Sequence, residues 1–136
     1  MQMPSLPLAY VGYADGVGLH TWHIALASCI IYTPKSELFY SGGVFLGIST
    51  KNIVDYMSII SLLTEASSRD ISNLVVRLDS QLVVMQLTNH YHICNPILLC
   101  QYLRVRLLER QFEVITYEHI PREFNRVANW HLYHSL

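Results

Sequence analysis

Short apolar runs rich in β-branched residues alternate along this chain with stretches of helical period. Leu8 to Ala14 reads as a first strand, closed by Asp15-Gly16. Trp22 to Tyr32 is a long apolar segment, Pro34-Lys35-Ser36 supplies a turn, and Leu38 to Leu46 reads as another strand, so two successive hairpins set three antiparallel strands side by side. Gly42-Gly43 marks a bulge or a close backbone approach in the third. Ser49 and Thr50 are helix-capping types, and Ile53, Tyr56, Met57, Ile60, Leu63 and Ala66 keep helical spacing as far as about Ser68. Asp55 lies in the second turn, with Ile59 and Leu62 at i+4 and i+7, which sets its carboxylate at the edge of the face that packs on the sheet.

The stretch Asn73 to Val84 holds a buried strand, a carboxylate and a helix start in twelve residues. Leu74, Val75, Val76 and Leu78, interrupted by Arg77, suit a central strand covered on both faces. Asp79 and Ser80 then end the run, and both are N-cap residue types. Asp79 therefore stands at the carboxyl end of a sheet strand, where open α/β sheets place ligands, although capping alone would also explain it. Asn89 to Pro96 is a polar loop whose His90 and His92, two residues apart with no third ligand, read as loop surface rather than metal site. Pro96 opens a helix running to Gln111, with Arg104, Arg106 and Arg110 as a modest cationic face or simply a solvated one. Phe112 to Tyr117 is a fifth strand, His119 to Glu123 a loop, and a last helix carries Asn125, Val127, Ala128, Asn129 and Trp130. The pattern is α/β, a five-stranded mixed sheet in the order βββαβααβα with helices on both faces, forming a single domain over residues 1–136 with its core at about 8–135.

Composition narrows the classes. With 51 % hydrophobic and 14 % charged residues in 136, the chain has enough material for a proper core. A net charge of −1 gives no general attraction for polyanions, so nucleic-acid binding has to come from local patches or a metal. Cys29, Cys94 and Cys100 are odd in number and lack CxxC spacing, which points to reduced thiols, not to a disulfide framework or a zinc site. No apolar run reaches the roughly 18 to 20 residues of a membrane span, and no signal or transit pattern opens the chain, so a soluble protein of nucleus or cytoplasm is expected. Met1 and the position of Leu136 suggest a free-standing unit.

Four segments carry a family resemblance: LGISTKNIVDY (Leu46 to Tyr56), DSQLVVMQ (Asp79 to Gln86), the N-x-Y-x-x-x-N-P pattern from Asn89 to Pro96, and HIPREFNRVAN (His119 to Asn129). Taken in this order they resemble the ribonuclease H fold, and more narrowly the ribonuclease H domains of plant retroelements and their reverse-transcriptase-like relatives. The resemblance implies hydrolysis of the RNA strand of an RNA/DNA hybrid by two divalent ions, Mg²⁺ or Mn²⁺, about 3.5 to 4 Å apart on four carboxylates. By motif, Asp15 would bridge the ions, Asp55 would reach them from the first helix and Asp79 from the fourth strand, position 129 would contribute from the last helix, and His119 matches a histidine associated with product release.

Two of these positions depart from the family. Asp55 stands where the family has Glu, retracting the carboxylate by more than about 1 Å, a displacement that can cost roughly 10²-fold in rate. Asn129 stands where it has Asp, so a charged ligand becomes a neutral amide. The loop after Asp15, GVGLHTWH, also differs from the usual glycine- and asparagine-rich turn. The leading expectation is a retroelement-type domain with impaired catalysis that binds protein or nucleic acid, with no cofactor if the site is dead. The alternative is an active metal-dependent ribonuclease H. Partners would be an RNA/DNA hybrid held weakly, or a protein contacting exposed aromatics such as Tyr91, Phe124, Trp130 or Tyr133.

Overall fold

The structure is a computed structural model and describes residues 7–19 and 24–125. Along the chain it sets β1 (Tyr10–Leu19), β2 (Ile24–Tyr32), β3 (Leu38–Leu46), α1 (Lys51–Ser68), β4 (Asn73–Leu78), α2 (Gln81–Leu87), α3 (Pro96–Glu109) and β5 (Val114–His119). A helical turn begins at Arg122, and the remainder of the expected last helix, with Asn129, Trp130 and Tyr133, lies outside the described residues. The sheet order is β3-β2-β1-β4-β5. β1 is central: it pairs antiparallel with β2 from Val11↔Tyr32 to Leu19↔Ile24, and parallel with β4 from Tyr10↔Leu74 to Tyr13↔Arg77.

Alternation along β4 sends Leu74, Val76 and Leu78 into the core and turns Arg77 to the opposite face, where it donates to Tyr13 Oη (2.9 Å) and to Glu118 (3.2 Å). Ala14, Cys29, Ile31, Tyr56, Ile59, Leu62, Val83, Leu87 and Val105 join the same core, so α1, α2 and α3 share one face of the sheet. Helices on both faces were expected; among the described residues the three complete helices lie on one. On the other face Leu26 and Ile30, in register with Val17 and Tyr13, are equally buried.

The closest fit is between α1 and β1. A Cβ placed on Gly12 would stand 2.7 Å from Leu62 Cδ1, and Leu62 is fully buried. Tyr56, also fully buried, donates its hydroxyl to Gln86 Oε1 at 2.6 Å and ties α1 to α2. The Asn89-to-Pro96 pattern has a structural purpose. Asn89 takes a left-handed φ of 63°, which Asn tolerates, and its Oδ1 accepts from Arg106 (3.2 Å) and Tyr102 (3.1 Å). Asn95 caps α3 by accepting from the Ile97 and Leu98 amides, with Pro96 in the first turn, where a missing N–H costs nothing.

Several boundaries move. β1 runs past Ala14 to Leu19 because β2 pairs it along its whole length, so Asp15 lies within the strand rather than closing it. β5 begins at Val114 and reaches His119, which pairs with Leu78 and so belongs to the strand, not to the following loop. The register shift in the β2–β3 pair falls at Ile31/Tyr32 instead of at Gly42-Gly43, while Gly42 leaves room for the Tyr40 hydroxyl. Ser80, not Asp79, caps α2, accepting from the Val83 amide at 3.3 Å. α3 ends at Glu109, two residues short of Gln111. Its cationic face is partly spent: Arg106 Nη1 donates to both Glu109 carboxylate oxygens (2.8 and 2.9 Å), Nη2 donates to the Leu87 carbonyl, and the guanidinium stacks on Tyr102. His90 and His92 are exposed loop residues, as the spacing predicted.

Among the described residues no helix is long and apolar enough to cross a membrane. Gly12→Val is expected to lower stability by about 1–3 kcal/mol, because the added methyls meet a side chain with nowhere to move; urea denaturation measures it, and a loss below about 0.5 kcal/mol would show that α1 can lift from β1. Burial pushes the Cys29 thiol up to about 12, while Cys94 and Cys100 are exposed. A thiol-reactive chromophore at pH 8 should therefore titrate two cysteines in the native protein and the third after denaturation.

Candidate active site

β1 and β4 run parallel and part company just beyond Tyr13↔Arg77. Two residues further along stand Asp15, still within β1, and Asp79, just past the end of β4, so the topology brings two carboxylates together where the strands part without either being near the other in sequence. Both line an open cleft of about 550 Å³, together with Gly16, Val17, Gly18, Ala25, Ser49, Lys51, Val54 and Arg122. The backbone beneath is tied down. Ser28 Oγ donates to the Asp15 carbonyl (3.1 Å), and Asn125 Nδ2 donates to the Ala14 carbonyl (3.1 Å) from the helical turn that begins at Arg122.

Asp55 arrives from α1. A Cβ on Gly16 would stand 2.8 Å from both the Asp55 amide nitrogen and Asp55 Oδ1, so only glycine lets the helix close down on the strand here. That closure allows the Gly16 amide to donate to Asp55 Oδ1 at 3.0 Å. Asp55 is 5 % exposed, and its other oxygen, Oδ2, is buried without a hydrogen-bond partner. Burial pushes its carboxyl up to about 6, against the opposing pull of Lys51 and the Gly16 amide.

Lys51 joins the groups. Its ammonium donates to Asp55 Oδ1 (2.8 Å), to Asp15 Oδ1 (3.2 Å) and to the Gly16 carbonyl. Burial pulls the ammonium down, but Asp55, Asp15 and Asp79 more than offset it, and Lys51 is held above its ordinary value. Asp79 has a second cation nearby, Arg122 Nε at 3.6 Å from Oδ2; Arg122 is 78 % exposed, so solvent screens that pair.

Of the residues singled out from the sequence, Asp15 and Asp79 share the cleft, and Asp55 reaches it through Lys51 without lining it. His119 lies next to the end of β4, exposed and outside the lining. Asn129 lies outside the described residues. Tyr91 and Phe124 are exposed, 52 % and 64 %. Lys51, Arg122 and Asn125 were not anticipated. The Lys51/Asp55 pair could have been noticed as an i,i+4 opposite-charge spacing; Arg122 and Asn125 carry no comparable signal.

These donors do not fit a two-ion site as they stand. Asp55 spends Oδ1 on a backbone amide and an ammonium, and the ammonium occupies the space between it and Asp15. Among the described residues no three His, Cys, Asp or Glu side chains come close enough to hold one metal ion.

The geometry can be set beside known proteins. A solved ribonuclease H1 from the halophilic archaeon Halobacterium salinarum NRC-1 superposes with a TM-score of 0.84 at 27 % identity, covering 90 % of this chain and 92 % of that one. The N-terminal RNase H domain of rv2228c from Mycobacterium tuberculosis, solved as a fusion with maltose-binding protein, gives 0.84 at 27 %, covering 91 % and 90 %. In sequence, the chain is 33 % identical over 84 residues to the bifunctional protein Rv2228c of Mycobacterium tuberculosis, covering 62 % of this chain and only 23 % of that protein's length. It is 28 % identical over 117 residues to a Halobacterium salinarum ribonuclease HI, covering 86 % of this chain and 59 % of the relative. The reverse transcriptase-like family model matches residues 14–132, nearly the whole chain. With the β1–β4 pair, α1 laid across it and carboxylates where the two strands part, the chain belongs to the reverse transcriptase-like family and has a ribonuclease H-like fold.

Proposed function

We propose that this protein is a ribonuclease H-like domain of retroelement type whose metal-dependent hydrolysis of RNA/DNA hybrids is impaired, and which acts by binding. The observation that carries this reading is the position of Asp55. Its Oδ1 is bound to the Gly16 amide on the strand side, and it does not line the cleft that holds Asp15 and Asp79. A carboxylate one methylene longer could keep its α1 anchor and still extend into the cleft; Asp55 cannot. Loss of charge at Asn129 removes a second ligand from the same constellation. For the ligand we favour an RNA/DNA hybrid held weakly: a solved relative, LC11-RNase H1, has been captured with such a hybrid, and Lys51 and Arg122 place two cationic side chains at the cleft. At 22 % identity that relative argues from the fold alone.

A second reading, a slow but working hybrid nuclease using Mg²⁺ or Mn²⁺, is favoured by the survival of Asp15 and Asp79 in the cleft and by the ribonuclease HI relative. Hydrolysis of a labelled RNA/DNA hybrid separates the two. The native chain is expected to cleave at least about 10²-fold more slowly than an enzyme turning over at around 1 s⁻¹. Asp55→Glu combined with Asn129→Asp should raise the rate by more than the product of the single changes, since neighbouring ligands of a shared site are not additive. Asp15→Asn in the double variant should abolish the gain. Turnover of about 1 s⁻¹ or faster by the native chain would establish the second reading.

A further inference from the structure

We infer that Lys51 is a tethered cation that fills the carboxylate site of this chain, so that a divalent ion can enter only by displacing its ammonium. The inference rests on reading the cleft as the family's former metal site, and extends that reading from the loss of ligands to the replacement of the ligand itself. An ammonium has three protons to donate. Lys51 meets three acceptors with them, Asp15 Oδ1, Asp55 Oδ1 and the Gly16 carbonyl, drawn from β1 and α1 together. The group is thus fully satisfied, by oxygen donors of the kind a hard divalent ion would seek.

The position of Lys51 on its own helix argues that the carboxylates hold it there. It is the first residue of α1, directly after the Thr50 cap. A positive charge in the first turn opposes the helix dipole, and a lysine placed N-terminal to its acidic partner at i,i+4 is the poorer of the two orientations. The helix therefore gives no reason for a cation at this end. The two buried aspartates do: each is 5 % exposed, and the ammonium contacts both. The stem of Lys51 leaves the side chain 46 % exposed, so it can swing away into solvent, but only by giving up two charge-assisted contacts.

The test is Mn²⁺ alone, titrated calorimetrically into the native chain and into Lys51→Met, which keeps the aliphatic stem and removes the charge. Binding to Lys51→Met should be roughly ten- to hundredfold tighter, the equivalent of the contacts an ion no longer has to break. Asp15→Asn added to Lys51→Met should erase the gain. Thermal denaturation gives an independent readout: without metal, Lys51→Met should melt below the native chain, and Mn²⁺ should restore it while leaving the native melting temperature unchanged. Lys51→Gln is read in the same way should the methionine variant fail to fold. Affinities within about twofold of each other, or a native chain stabilised by Mn²⁺ as much as the variant, would overturn the inference. These outcomes are separable from the proposed function. A native chain that turns over hybrid rapidly while Lys51→Met still gains affinity would overturn the impaired-nuclease reading and leave the tethered cation intact.

Discussion

The close approach of α1 to β1 is the constraint from which the rest of this molecule follows. Gly12 and Gly16, two turns of the strand pleat apart on the face that meets the helix, admit Leu62 and Asp55 to distances that no larger residue would permit. At Gly12 the consequence is packing: Leu62 fills the space and the core closes around Tyr56, Ile59 and Leu63. At Gly16 the consequence is polar. The same closeness lets a backbone amide of the central strand bind a helix carboxylate, and a buried aspartate becomes a fixed part of the strand-helix junction.

Burying that carboxylate has an electrostatic cost that the neighbouring groups offset. Burial and the nearby Asp15 charge both push the Asp55 carboxyl up, and Asp79 lines the cleft beside Asp15. Lys51 answers the inner two from within, and Arg122 answers Asp79 from the solvent side. The two cations differ in consequence. The Lys51 ammonium contacts two buried carboxylates, whereas the arginine pair, open to water and at 3.6 Å, is worth little. The cleft is organised by side chains of the chain itself.

The far side of the domain shows the same economy of polar groups. Arg106, which by sequence belonged to a cationic face, is drawn inward by Glu109, the Leu87 carbonyl and Asn89, and Glu109 in turn accepts from the Tyr117 hydroxyl at 2.6 Å. This chain of contacts joins α3 to the α2–α3 loop and to β5. It engages Arg106 within the domain, while Arg104 and Arg110 stay exposed and Lys51 and Arg122 stand at the cleft.

Periodicity alone determined much of this protein. The turn at Pro34-Lys35-Ser36 followed by the apolar stretch Leu38 to Leu46 gave β3 with its ends correct, and Thr50 with the helical spacing through Ala66 gave α1, because turns, caps and amphipathic periods are local properties of the chain. The order of elements and the motifs holding Asp55 and Asp79 were likewise legible, and they led to the right family. Pairing decided what local pattern could not. β1 extends to Leu19 because β2 offers it partners, and His119 joins β5 because Leu78 lies opposite. Ser80 rather than Asp79 caps α2, a choice between adjacent residues that composition leaves equal and geometry does not. Above all, the role of Lys51 depended on tertiary structure. Its spacing to Asp55 was visible in the sequence, but its contacts with Asp15 and the Gly16 carbonyl span 36 and 35 residues and exist only once α1 has closed on the central strand.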